Sequence, residues 1–352
     1  MKAIALETVE GLLDGHVDVR RRPGSIQPLR YPFADTLFLD PFTRWVASCA
    51  AGIRLRMITD TTAIRIASTQ RSTGGPGPGP EARPANYELY IDGAFWKRQA
   101  ANGGATLTPE GGLAGDERAS VAFEGLPAGE KHIEIWLPQT ATVSITSVEV
   151  DDSSHVASWP DERRRIVFHG SSISHCMEAE GGSGSWPAVA SAHADARLLN
   201  MGWAGSCLLS GLAARAIRDQ AADLIVLKLG INVHGEGMLK ERTFLDSAHA
   251  MISIIREKHP ETPIVIISPI FSASREQAGS AGGPTLARMR ELLEDVVAAR
   301  VRAGDQHIRY LSGLELFDAA DAPDLPDDLH PNAAGYRRMG ERFHAKVLSD
   351  AG

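Results

Sequence analysis

Cysteine is scarce in this chain. There are three in 352 residues, Cys49, Cys176 and Cys207. Their spacing offers neither a disulfide framework nor a metal-binding pair, so a reducing cytoplasm is the expected setting. No uninterrupted apolar run approaches the ~20 residues of a membrane span, and no membrane partner is expected. The opening Met1-Lys2-Ala3-Ile4-Ala5-Leu6-Glu7 has no long apolar core before its first acid, unlike a secretory signal. Positive charge is in deficit too: 36 Lys and Arg face 44 Asp and Glu, for a net charge of −8. A surface of that sign is a poor match for a phosphate backbone, so nucleic acid is excluded as the expected partner. No feature assigns an oligomeric state.

What is present is ordinary for a globular protein, with 43% hydrophobic and 23% charged residues over a length that accommodates two domains. The two parts read differently. Residues 1–160 suggest an all-β sandwich of jelly-roll type. Ile53-Arg54-Leu55-Arg56-Met57-Ile58 alternates apolar and basic, which predicts a strand with one wet face. Ala63-Ile64-Arg65-Ile66-Ala67 repeats the pattern after a turn-like Thr59-Asp60-Thr61-Thr62, so the two are expected to form a hairpin. Tyr87-Glu88-Leu89-Tyr90-Ile91 runs into Asp92-Gly93, a strong hairpin signal, and then Ala94-Phe95-Trp96. Val121-Ala122-Phe123, residues 132–136 and residues 143–150 extend the strand list. Gly74-Gly75-Pro76-Gly77-Pro78-Gly79-Pro80 is low-complexity and reads as a loop between strands. Trp45, Trp96 and Trp136 have flat faces that suit sugar rings, although core packing is the commoner use of such residues. Trp96, beside Lys97 and Arg98, is the one expected at the surface.

Residues 161–352 alternate apolar strands with helical patterns. Strands are predicted at 166–169, 197–200, 224–229, 263–268 and 308–311. Helices are predicted at 186–194, 208–220, 243–258, 285–302 and 333–348. This alternation argues for an open parallel sheet with helices on both faces. Ligands of such sheets collect at the carboxyl ends of the strands.

Four segments fall at those ends or just before the last helix. The first strand runs into Gly170-Ser171-Ser172-Ile173, where a glycine permits a sharp turn that presents Ser172. A serine hydroxyl needs a base within hydrogen-bond reach to attack a carbonyl, and His330 in Asp327-Asp328-Leu329-His330-Pro331 can supply it. A carboxylate must orient that imidazole, and Asp327 lies three residues earlier. Asp328 competes for this role, but the spacing favours Asp327 and leaves Asp328 as a solvated loop acid. A tetrahedral intermediate needs donors aimed at its oxyanion. The Ser172 N–H, a backbone N–H at Gly205 and the Asn232 amide are candidates. Gly205 ends Asn200-Met201-Gly202-Trp203-Ala204-Gly205, and Asn232 ends Gly230-Ile231-Asn232.

Residues 163–350 therefore resemble the SGNH hydrolase superfamily, also called GDSL esterases and lipases. That superfamily is named for a Ser, Gly, Asn and His in four blocks, which match Ser172, Gly205, Asn232 and His330 here. The resemblance implies a flavodoxin-like three-layer α/β/α domain, a Ser172–His330–Asp327 triad and an oxyanion hole of Ser172, Gly205 and Asn232. It requires no metal or other cofactor. The usual Asp before the nucleophile is Ser171, and the residue after Asn232 is Val233 rather than Asp. The Gly-Ser-Ser-Ile form behind a β-rich domain is similar to a branch holding two-domain carbohydrate esterases and a polyketide-tailoring acyltransferase. The expected partner is accordingly a carbohydrate or small-molecule ester, with acetyl as the leading acyl group. A non-catalytic glycan-binding protein is the contrasting class, and the intact four-block constellation argues against it.

Other residues near the blocks are assigned lesser roles. Ser171 and Ser174 read as turn or capping residues. His169, His175 and His234 show no metal-ligand spacing. His234, Trp186 and Trp203 are candidates for substrate contact, with Met177 and Phe271 as further apolar lining. Cys176 and Cys207 read as small packing residues.

Overall fold

The computed structural model describes residues 1–73, 83–108, 112–236, 238–279 and 282–349. The glycine- and proline-rich stretch 74–80 lies outside them. The contacts divide the chain into two compact units. One comprises Met1–Ala34, Ser48–Glu162 and Glu180–Ser183; the other comprises Asp35–Ala47, Arg163–Ala179 and Gly184–Gly352. A single cut near 160 therefore does not describe the division. Asp35–Ala47 packs with the later residues, and Glu180–Ser183 with the earlier ones.

The first unit is built from two largely antiparallel sheets. One is centred on Ala63–Thr73 and Ala141–Val150, the other on Arg54–Thr59, Lys131–Trp136 and Asn86–Ile91. Leu55, Met57, Leu89, Ile133 and Ile135 of the second sheet share one buried cluster with Ile64, Ile66, Val143, Ile145 and Val148 of the first. Alternation puts every second residue of each strand into this core.

Two expectations fail here for one reason. Arg54–Thr59 and Ala63–Thr73 do not pair, because they belong to different sheets. The Thr59–Thr62 segment is a corner, tied by the Asp151 carboxylate, which accepts hydrogen bonds from the Thr62 N–H (2.7 Å) and from both the Thr61 and Thr62 hydroxyls. Nor does Arg54–Thr59 have a wet face, since Arg54 and Arg56 are both 3% exposed. Arg54 pairs with Asp14. Arg56 pairs with Glu134 (3.1 Å) and Asp161 (3.2 Å), and its guanidinium lies 3.8 Å from the centroid of the Trp159 ring. Alternation records which residues differ in polarity; here the polar set is buried against acids and aromatic rings.

The Asp92-Gly93 hairpin does form. Asn86–Ile91 pairs with Ala94–Ala100, and Asp92 (φ 50°) and Gly93 (φ 81°) both take the positive φ that a two-residue turn requires. Trp96 is exposed on this edge strand, as expected. The hairpin's first strand also holds Glu180–Ser183: buried Glu88 accepts from the Ser183 N–H (2.8 Å) and from Arg98, which reaches on to Glu180.

The second unit carries a five-stranded parallel sheet. Its strands are β1 (Arg165–Gly170), β2 (Arg197–Gly202), β3 (Leu224–Lys228), β4 (Ile264–Ile267) and β5 (Ile308–Leu311), in spatial order β2-β1-β3-β4-β5. The main helices are α1 (Trp186–His193), α2 (Gly211–Arg218), α3 (Glu241–Arg256), α4 (Leu286–Arg302) and α5 (Ala333–Phe343). The helix expected to run to 348 is regular only to Phe343, and a wider turn, His344–Leu348, follows. α1 packs on α5, while α3 packs on both α2 and α4. Right-handed crossovers in this strand order put the first pair on one face and the other three on the opposite face, the three-layer arrangement expected. Ser185, Ser210, Thr285 and Asn332 cap α1, α2, α4 and α5 with their side-chain oxygens. The strand register aligns Gly170 with Gly202 and Lys228, so the loops after β1, β2 and β3 leave the sheet side by side.

Candidate active site

The nucleophile candidate is placed by a short, fully specified turn. β1 ends at Gly170, and Ser171 caps a one-turn helix, Ser172–His175, by accepting from the Ile173 N–H (3.2 Å). Gly170 is needed for close approach rather than for an unusual backbone angle, because a Cβ there would meet Ser174 Oγ at 2.4 Å. Ser172 is half-buried at the start of that helix. Asn200, at the end of β2, tethers the helix: its Nδ2 donates to the Ser174 carbonyl (2.9 Å) and its Oδ1 accepts from the Gly202 N–H (2.8 Å). Gly202 has no room for a Cβ, which would lie 2.5 Å from the His175 nitrogen.

His330 Nε2 lies 2.8 Å from Ser172 Oγ, and His330 Nδ1 lies 2.6 Å from Asp327 Oδ2. A carboxylate only accepts, so Nδ1 carries the hydrogen and Nε2 is the lone pair facing the serine hydroxyl. The other carboxylate oxygen of Asp327 accepts from the backbone N–H groups of Leu329 (3.0 Å) and His330 (2.7 Å). That local turn is why a three-residue spacing brings both side chains to one side. Burial pushes the Asp327 carboxyl up, but the His330 backbone and ring and the Leu329 N–H outweigh it and hold the carboxyl below its ordinary value.

Asp328 turns away, and it is not the solvated acid expected. Its φ is 58°, and its carboxylate accepts from the N–H groups of Ala273 (2.8 Å) and Ser274 (2.9 Å). It pins the 272–275 segment to the loop carrying His330.

Gly205 lies on the loop after β2, and Asn232 lies in the short helix Ile231–Glu236 that follows β3. Gly205 has φ +68°, a conformation that favours glycine. Asn232 Oδ1 accepts from the Cys207 N–H at 3.0 Å, leaving Nδ2 as the donor end of the amide. Sequence reading assigned Cys207 to packing alone. Its buried thiol, pushed up to about 12 by desolvation, is no nucleophile, but its backbone orients Asn232.

The three substrate-contact candidates are taken up by the protein. Trp186 is fully buried, donates from Nε1 to the Ile173 carbonyl (2.9 Å) and packs edge-on against Phe168 and Phe343. Trp203 is 1% exposed and edge-on to His169. His234 is buried, with Nε2 against the Ala278 carbonyl at 2.8 Å. Trp203 and His234 follow short motifs at strand ends and Trp186 opens α1, positions at which sequence cannot separate a pocket wall from the packing beneath it. Trp186 supports the Ser172 turn from below.

Two features carry no sequence signal. Lys228, the last residue of β3, is fully buried; desolvation lowers its pKa to about 8, and among the described residues nothing accepts a hydrogen bond from Nζ. The second is Pro41–Ser48, a helix far from the blocks in sequence. Its Thr43 Oγ1 donates to Ser206 Oγ at 2.9 Å across 163 positions, and its Phe42 ring lies against Gly205. Among the described residues, no group of three or more His, Cys, Asp and Glu is placed to hold a metal ion. No helix there is long and apolar enough to cross a membrane.

Comparison with known proteins shows what the chain is similar to. Residues 168–338 match the model of the GDSL-like lipase/acylhydrolase family. A multidomain esterase of Ruminococcus flavefaciens is 27% identical over 132 residues, which are 37% of this chain and 16% of that protein. The match thus spans about a sixth of that relative's length. Among solved structures, the salicylyl-acyltransferase SsfX3 from a tetracycline biosynthetic pathway is 28% identical, with a TM-score of 0.82 over 96% of this chain and 94% of that one. A GDSL-like lipase from Bacteroides ovatus is 19% identical, with a TM-score of 0.76 over 99% and 97%. A family two carbohydrate esterase from Clostridium thermocellum, solved with cellohexaose, is 17% identical, with a TM-score of 0.62 over 86% and 94%. The last two likenesses are of fold.

Proposed function

We propose that the chain, whose residues 168–338 match the GDSL-like lipase/acylhydrolase family, is a serine hydrolase that cleaves carboxylic esters through an acyl-enzyme on Ser172. The observation that carries this reading is the unbroken Ser172–His330–Asp327 hydrogen-bond chain. Ser172 Oγ attacks the ester carbonyl while its proton passes to His330 Nε2. Asp327, kept ionised, stabilises the imidazolium. The oxyanion rests on the N–H groups of Ser172 and Gly205 and on Asn232 Nδ2. His330 returns the proton to the departing alkoxide, then deprotonates the water that releases the acid. The substrate is an ester of a carbohydrate or small-molecule alcohol, and the sequence alone favours a short acyl group such as acetyl. The two-unit likeness to carbohydrate esterases supports the sugar alcohol only as an analogy of fold.

A second reading has its own support. Transfer to an acceptor alcohol uses the same acyl-enzyme, and the likeness to the salicylyl-acyltransferase extends over nearly the whole chain. A p-nitrophenyl ester series from acetate to octanoate, with wild type and Ser172→Ala, tests the serine mechanism. Ester turnover that survives in Ser172→Ala would sink it. Adding sugar or alcohol acceptors then reads how the acyl group partitions between water and acceptor.

A further inference from the structure

We infer that Phe42 is a specificity residue of the acyl site and that the acyl group it receives is apolar and larger than acetyl. The inference rests on the acyl-enzyme reading above. Phe42 is 56% exposed, yet it is not a loose surface ring. The Asp40 carboxylate accepts from the Phe42 and Thr43 N–H groups, each at 3.0 Å, and Pro41 opens the helix. Thr43 Oγ1 anchors the same turn to Ser206, the residue after Gly205. A Cβ on Gly205 would stand 2.8 Å from Phe42 Cε1, so the ring packs directly on the residue whose N–H serves the oxyanion. Trp45, one turn further on, adds a second ring 6.5 Å away.

An exposed aromatic ring held this firmly is preorganised for contact. The chemistry selects which part of an ester reaches it. The tetrahedral carbon carries Ser172 Oγ, the oxyanion, the leaving alcohol and the acyl chain. His330 must protonate the alcohol oxygen, so the alcohol lies toward the 327–330 loop. The acyl chain is the remaining substituent, and Phe42 stands at the oxyanion loop. A flat apolar wall there rewards a ring or a branched chain over a methyl group.

The test compares kcat/KM for p-nitrophenyl benzoate and p-nitrophenyl acetate in wild type, Phe42→Ala and Phe42→Leu. A second series holds the acyl group at acetyl and varies the alcohol. We expect the benzoate-to-acetate ratio to fall about tenfold or more in Phe42→Ala and by less in Phe42→Leu. Equal loss on both esters would overturn the inference and leave Phe42 as a support of the Gly205 loop. A change confined to the alcohol series would overturn it as well. Thermal melting and the Phe42→Leu variant separate misfolding from lost contact. Ser172→Ala is read in parallel: turnover persisting there defeats the acyl-enzyme reading, whereas an unchanged ratio in Phe42→Ala with an inactive Ser172→Ala defeats only the role of Phe42.

Discussion

The two units obey the same periodicity rules but differ in how much those rules determine. In the parallel sheet of the second unit, β3 and β4 are buried along their whole length, and right-handed crossovers constrain which strand lies beside which. Strand positions there lead almost directly to the site. In the sandwich, alternation located Arg54–Thr59 and Ala63–Thr73 but mispaired them, because a strand can turn a corner into the other sheet as readily as fold back. The treatment of buried charge differs too. The first unit encloses Arg56 between two acids and an aromatic ring, whereas the second encloses Lys228 with no acceptor among the described residues.

The largest expected effects sharpen the assignment in the second unit. Ser172→Ala should lower kcat by about 10⁴-fold or more. Asp327→Asn should follow within a few orders of magnitude, while Asp328→Asn should act mainly on thermal stability by freeing the 272–275 segment. Steady-state kinetics beside melting curves check this, and a kcat loss in Asp328→Asn equal to that of Asp327→Asn would reverse the choice of acid. Gly205→Ala should cost about 10²-fold in kcat, of the order of losing one oxyanion donor. Phe42→Ala in the same chain should not restore it, because the positive φ still costs about 1–2 kcal/mol.

The buried cations give the next contrast. Arg56→Met leaves buried acids uncompensated and should destabilise by about 3 kcal/mol, read by denaturant titration. Lys228→Met should do the opposite near neutral pH. The native pKa of about 8 lies below the ordinary lysine value of 10.5, so the unfolded chain binds the proton more tightly between them. Wild-type stability from this group therefore rises as pH climbs from about 8 towards 10.5, by an amount on the order of 3 kcal/mol. Below pH 8 that penalty is fully present. In Lys228→Met the rise should vanish, and a pH–stability profile that keeps its slope would contradict the assignment. The smallest effect belongs to the hairpin edge, where Trp96→Ala should change stability by about 0.5 kcal/mol or less.

Some of this architecture was legible because it is local. The five parallel strands, their helices and the Asp92-Gly93 turn follow from polarity patterns and turn chemistry within a few residues. The Asp327–His330 pairing is local as well, since one turn of backbone sets it. The candidacy of Ser172 followed from its place at a strand end beside small residues. None of these required knowing what lies across the fold.

The rest depended on residues brought together from far along the chain. Trp186 and Trp203 read equally well as pocket lining or as packing, and only the assembled core puts them beneath the site. Asp35–Ala47 gives no sign in sequence that it leaves the sandwich to lay Phe42 on Gly205. Cys207 orients Asn232 through its backbone, a contact to which side-chain identity is blind. A sequence determines which faces are apolar and where the backbone can turn. Which faces meet, and which polar groups become trapped between them, is decided when the whole chain packs, because that choice is made by close fit between surfaces distant in sequence.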